Sequence, residues 1–137
     1  MPDKVYLFDV DGTLTEPREK IKEQIEDVFM SWIASKSKSV YLVTGSDIDK
    51  TKEQLGEDLM DICLGVFTCS GNVFRQEGKV IYSNVFDPSA EFIADLQLYL
   101  DNSQWRSKKG NHIETRPGML NFSTVGRNAS LNMRKAY

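Results

Sequence analysis

Near the start of the chain, four apolar residues, 5–8, run straight into Asp9-Val10-Asp11-Gly12-Thr13. The pattern reads as a buried strand that empties into a loop. Gly12 lets the chain turn sharply, so the two carboxylates cannot both point away from the end of the strand. In a parallel sheet, loops at the carboxyl ends of the strands line the ligand crevice. Two carboxylates so close repel unless a cation lies between them, and Mg²⁺, with its preference for oxygen, is the natural one. Asp9 or Asp11 could then attack phosphorus while the other carries a proton. A calcium loop does not fit the spacing. Counted from Asp9, glycine would be needed sixth and glutamate twelfth, where the chain has Leu14 and Lys20.

The following residues alternate in a way that specifies the rest of the sheet. Residues 19–35 place Ile21, Ile25, Phe29, Trp32 and Ile33 on one helical face. A second buried strand is expected over 40–43, ended by Thr44-Gly45-Ser46-Asp47. A helix to about Met60 follows, with Ser46 as its cap, Asp49 three residues on, and Ile48, Leu55 and Leu59 inward. Residues 64–68 form a third strand. Strand, helix, strand, helix, strand argues for a Rossmann-like parallel α/β core.

The pattern changes after this. Residues 72–83 read as a hairpin about Gln76-Glu77-Gly78-Lys79, and Asp87-Pro88 as a helix start with Pro at the first helical position. Phe92, Ile93, Leu96 and Leu100 give that helix its buried face. Residues 112–116 and 119–125 pair across Pro117-Gly118, and a short helical segment begins at Ser130. Two domains are therefore expected: residues 1–84 as the first part of an α/β core, and 85–137 as an incomplete α+β cap.

Composition narrows the function classes. With 40% hydrophobic and 27% charged residues among 137, the chain suits a soluble globular protein. No apolar run approaches the ~18 to 20 residues that span a bilayer. Residues 1–4 are polar, so no leader is expected. Cys63 and Cys69 match neither a disulfide framework nor a CxxC metal pair, which favours reduced thiols and a cytoplasmic setting. Up to Asn102 there are 10 Lys and Arg against 19 Asp and Glu; from Ser103 on there are 7 against 1. An acidic part that holds a cation and a basic part that holds anions would account for this, as would a contact between opposite patches. No recognition-helix or aromatic-stacking pattern points to nucleic acid. His112, the single histidine, reads as structural or interfacial.

The string from Phe8 to Thr15 resembles the first signature of the haloacid-dehalogenase-like phosphotransferases. Thr44 resembles that superfamily's second motif, a hydroxyl that holds the transferring phosphoryl group, with Ser46 the other candidate. A closer resemblance, to the eukaryotic-type phosphomannomutases, rests on DVDGTLTEPR at 9–18, GSD at 45–47, IETRPGMLN at 113–121 and GR at 126–127. It implies interconversion of mannose 6-phosphate and mannose 1-phosphate for GDP-mannose synthesis, with Mg²⁺ and a hexose 1,6-bisphosphate activator. Asp9 would carry the phosphoryl group and also bind the metal with Asp11, and Asp11 would protonate and deprotonate the sugar oxygens. Arg18 would lie near a phosphate in the core, while Arg116, Arg127 and Arg134 would hold the sugar phosphate from the cap. A homodimer through the cap is implied, with no nucleic acid or membrane partner. The chain departs from the family in having Cys69-Ser70-Gly71 where Glu-Asn-Gly is usual. The family's later basic motif and acidic residues are not found after Arg134, so an N-terminal portion or a shortened homologue is expected. A sugar phosphatase and a non-catalytic homologue that binds sugar phosphate or a partner are the alternatives.

Overall fold

Residues 4–35 and 38–137 are described by a computed structural model, in which the chain divides into two compact units, one ending at Asn84 and the other running Val85–Tyr137. The expectation drawn from residues 1–4 falls mostly on residues outside those described.

The first unit is built on a five-stranded sheet of order β1-β2-β3-β4-β5, comprising Val5–Asp9, Ser39–Val43, Gly65–Thr68, Val73–Gln76 and Lys79–Ser83. β1, β2 and β3 are parallel, whereas β4 and β5 return antiparallel. The β4–β5 turn needs Glu77 (φ 50°) and Gly78 (φ 72°) in the left-handed region, the two-residue geometry that suits the twist of a hairpin.

Three helices, α1 (Glu23–Ser35), α2 (Ile48–Leu55) and α3 (Glu57–Ile62), pack on one face of this sheet. There Phe29, Ile33, Leu55 and Leu59 meet Val40, Leu42 and Val66, with Tyr6, Phe8 and Trp32 at the margin. Phe8 and Phe29 meet edge to face at 4.8 Å, as do Tyr6 and Trp32 at 5.0 Å. The opposite face carries a row of rings instead: Tyr41, Phe67, Phe74 and Tyr82 run across β2 to β5, with Phe67 and Phe74 stacked at 4.3 Å.

Several expectations need correction. Among the described residues β1 is an edge strand, bonded only to β2, so Val5 and Leu7 are 59% and 65% exposed rather than buried. The helix expected to reach Met60 breaks at Gly56 (φ 76°), which ends α2 by donating to Lys52 O and starts α3. Glu57 and Asp58 then sit in the first turn of α3, where the helix dipole favours acids. Asp47, not Ser46, caps α2, accepting from Lys50 N at 2.9 Å. α1 begins at Glu23 rather than residue 19: Lys22 O accepts from Ile25 N and Glu26 N at its start, and the preceding Ile21 N bonds to Gln54 O at 2.8 Å.

The second unit holds α4 (Ala90–Asn102), the hairpin β6 (Ile113–Arg116) and β7 (Met119–Phe122), and α5 (Leu131–Ala136). α4 is capped by Ser89, which accepts from Phe92 N, so Pro88 lies outside the helix instead of opening it. Of the face expected to be buried, only Leu100 is; Ile93 and Leu96 are half-buried and Phe92 is exposed. No described helix is long and apolar enough to cross a membrane.

Candidate functional site

Asp9 is the last residue of β1 and pairs in register with Val43, so the loops after β1 and β2 leave the sheet side by side. Phe67 pairs with Val43 from the other side, which brings the loop after β3 to the same edge. These are the carboxyl ends of three parallel strands, the position where α/β sheets bind ligands.

The first loop is folded about one carbonyl. Val10 is fully buried, and its oxygen receives the N–H groups of Thr13, Leu14 and Thr15 at 3.0–3.2 Å. Leu14 and Thr15 are buried and pin the turn from beneath. Gly12 is required for its φ of +79°, since a Cβ there would meet nothing within 4 Å. Asp9 stands exposed, approached at 3.4 Å by Thr13 Oγ1. Asp11 is held from two sides: its Oδ1 accepts from Arg18 N at 2.8 Å and from Gln54 Nε2 at 2.7 Å. Arg18 takes a left-handed φ of 67° to present that N–H, and its side chain is exposed. A cleft of about 250 Å³ lies beside Gly12, Thr13 and Thr15. A larger one, about 590 Å³, lies elsewhere in the unit, along Lys52, Glu57, Cys63 and Arg75.

Thr44 is 2% exposed, and its Oγ1 accepts from Ser46 N at 3.1 Å. A hydroxyl that accepts still has a hydrogen to donate. Ser46 serves this loop rather than the helix cap, and its carbonyl accepts from Cys69 N at 2.8 Å. Ser70 N reaches back to Thr44 O at 3.0 Å. Cys69, Ser70 and Gly71 all have positive φ, so the Cys-Ser-Gly departure sits in a tight turn against the Thr44 loop. Both cysteines are buried, and burial pushes the Cys63 thiol up to about 12.

In the second unit two arginines, Arg116 and Arg127, converge on Glu114. Its Oε2 lies 3.1 Å from Arg116 Nη2 and 3.1 Å from Arg127 Nε. Glu114 and Arg116 are two apart on β6 and so share a face. Arg134, on α5, donates to Ala129 O at 3.1 Å and to Arg127 O at 3.0 Å, which ties the helix to the loop. His112 Nδ1 lies 2.7 Å from Ser123 O. The sequence-based candidates thus fall into two groups: Asp9, Asp11, Arg18, Thr44 and Ser46 in one unit, Arg116, Arg127 and Arg134 in the other.

Gln54 was missed by sequence reasoning. A polar residue beside Leu55 on the inner face of a helix was the available signal: a buried amide needs partners, and the nearby carboxylates supply one. Among the described residues, no third His, Cys, Asp or Glu gathers with others into a metal-holding group. Mg²⁺ commonly uses one or two carboxylates and completes its shell with water and substrate phosphate, so Asp9 and Asp11 fit that ion.

A sheet of this topology with an acidic loop after its first strand defines the haloacid-dehalogenase-like fold. It is shared with a haloacid dehalogenase-like hydrolase from B. subtilis (TM-score 0.52, 19% identity, 72% of this chain and 33% of that one). A phosphatase of the haloalkanoate (HAD) enzyme superfamily from Bacteroides thetaiotaomicron shares it too (TM-score 0.50, 23% identity, 73% and 36%). The sequence model of eukaryotic phosphomannomutase matches residues 26–137, and the chain belongs to that family. It is 37% identical to a phosphomannomutase of Glycine max, over 99% of this chain and 57% of the relative. Against phosphomannomutase 1 of Dictyostelium discoideum the identity is 33%, over 100% and 57%. The chain thus spans little more than half the length of the curated relatives it matches.

Proposed function

We propose that the chain carries the phosphoryl-transfer site of a phosphomannomutase, which interconverts mannose 6-phosphate and mannose 1-phosphate. The observation that carries this reading is the pair of carboxylates after β1: Asp9 open to solvent, Asp11 fixed by two donors, and Thr44 on the adjoining loop. An exposed carboxylate is free to attack phosphorus, whereas one held by hydrogen bonds suits proton transfer at a defined place.

In this scheme an Asp9 oxygen attacks a phosphoryl group of a hexose 1,6-bisphosphate. The P–O bond to the sugar breaks, and Asp11 gives the leaving oxygen its proton. That monophosphate leaves, and mannose 1-phosphate presents its 6-hydroxyl to the aspartyl phosphate. Asp11 takes that proton as the hydroxyl attacks, which restores Asp9 and forms mannose 1,6-bisphosphate. The bisphosphate turns end for end, Asp9 takes its 1-phosphoryl group while Asp11 protonates the leaving oxygen, and mannose 6-phosphate departs. Thr44 donates to a phosphoryl oxygen. Asp9 and Asp11 would hold Mg²⁺, which supplies charge neutralisation for the phosphoryl group. Arg116, Arg127 and Arg134 grip the distal phosphate, for which guanidinium forks are suited. Arg18 contacts a phosphate from the first unit. The product feeds GDP-mannose synthesis in the cytoplasm, and the second unit pairs with that of another copy.

The test is a coupled assay of mannose 1-phosphate conversion by the 137-residue chain with Mg²⁺ and a hexose 1,6-bisphosphate, with Asp9→Asn as control. Turnover that disappears in the variant supports the reading. Inorganic phosphate released in place of isomerised sugar would make the chain a sugar phosphatase, and a folded chain without turnover would refute catalysis by it.

A further inference from the structure

We infer that Gln54 is a positioning residue for the proton-transfer carboxylate, fixing Asp11 by its Oδ1 so that Oδ2 is the oxygen left for the substrate. The inference rests on the reading of Asp11 given above. Gln54 is 1% exposed, and it belongs to α2, well removed in sequence from the loop it serves. Its Nε2 donates to Asp11 Oδ1 at 2.7 Å, and it also lies 3.2 Å from Glu19 O and 3.3 Å from Thr15 Oγ1. Its backbone carbonyl accepts from Ile21 N at 2.8 Å. One residue thus stitches α2 to both ends of the segment that holds Asp11.

The orientation of the amide follows from its surroundings. Asp11 Oδ1 and Glu19 O can only accept, and Thr15 Oγ1 gives its hydrogen to Val10 O. An amide turned the other way would set its oxygen against three acceptors, so the NH₂ group must face the loop. The consequence is that Gln54 Oε1 is buried without a hydrogen-bond partner. A buried unsatisfied oxygen is costly and calls for a reason, and a hydrogen bond to a carboxylate, stronger than one between neutral groups, provides it.

Leucine would fill the same space without leaving an orphaned acceptor, so packing alone does not call for glutamine here. The requirement is for a donor aimed at Asp11. Only the amide of Arg18 would remain on Oδ1 in a Gln54→Leu variant, and the carboxylate could then rotate about its Cβ–Cγ bond.

Two measurements test this. The first is side-chain amide NMR of the native chain: the Gln54 NH₂ resonance is expected to be shifted and slow to exchange, and to move when Asp11 is replaced in Asp11→Ala. A Gln54 resonance indifferent to Asp11→Ala overturns the inference whatever the activity. The second is the mutase assay with Gln54→Leu and Gln54→Glu, where kcat should fall on the order of 10- to 100-fold with KM for the sugar phosphate little changed. Gln54→Glu keeps the shape and loses the donor, so it should lose at least as much. Full kcat in either folded variant overturns the inference. Should the unmutated chain prove inert, the mutase reading fails, and the resonance measurement still decides whether Gln54 holds Asp11.

Discussion

The two units are held together by different physics. In the first, apolar side chains from three helices and three strands close on one another, and Val10, Val40, Leu42 and Leu59 are fully buried. In the second, Leu100, Val125 and Ala129 are the buried apolar residues, and polar links supply the remainder. Gly126 brings one backbone against another, Glu114 gathers two arginines, and Arg134 fastens α5 through two carbonyls. A unit organised by charge and backbone contacts keeps guanidinium groups in fixed places at some expense of core. Charge follows the same division less steeply than the sequence suggested. The basic stretch from Ser103 shares its unit with acidic α4, giving seven basic and five acidic residues from Val85 on, against ten and fifteen before it.

Substitutions can break this contrast. Leu42→Ala, in the middle of the first core, should cost about 2 to 5 kcal/mol in urea unfolding, while peptide from the second unit keeps its protease resistance. A loss shared equally by both units would show that they unfold as one. Gly126→Ala should cost the second unit about 2 kcal/mol or more, because φ is +90° and the added Cβ would strike Lys109 O. Glu114→Gln leaves the shape of the β6–β7 hairpin but withdraws the charge between Arg116 and Arg127, and about 1 kcal/mol is expected for this partly exposed pair. A stabilised variant would mean that the arginines are held by something other than Glu114.

Cys63 sharpens the contrast from the other side. Its native thiol titrates near 12, above the 9.0 of the unfolded group, so burial contributes fully below pH 9.0 and that contribution fades as the pH climbs towards 12. A thiolate-selective reagent at pH 8 should label it at least ~100-fold more slowly in the native chain than in urea. Rapid native labelling would place the first unit among loosely packed structures. The smallest effect is expected at Lys52–Glu57, an exposed bridge at 2.9 Å across the α2–α3 break, where Glu57→Gln should leave the urea midpoint unchanged.

Local patterns that report their own geometry were legible in the sequence. The Glu77-Gly78 turn, the three parallel strands and the carboxylate loop needed only neighbouring residues to be read. The features that depend on distant partners were not. Whether β1 is inside the sheet depends on how many strands flank it, which the apolar run at 5–8 does not encode. Gly56 inside an otherwise helical pattern was readable as a tolerated glycine or as a break, and Glu57 and Asp58 just after it were the clue that a new helix begins. Gln54 looked like any polar helical residue, because its meaning lies in a carboxylate contributed from elsewhere in the chain.

The edge position of β1 bears on the order in which the sheet comes together. β3, β4 and β5 are joined by short turns and can zip up as a local meander, whereas β1 reaches β2 only after the whole of α1 has been spanned. Closing the longer loop is the slower event, so the strand that ends in Asp9 is expected to dock after the meander has formed. In a pulse-labelled refolding experiment, the amides of Tyr6 and Phe8 should gain protection later than those of Phe74 and Arg75. The carboxylates would then acquire their neighbours only once the scaffold beneath them is already rigid.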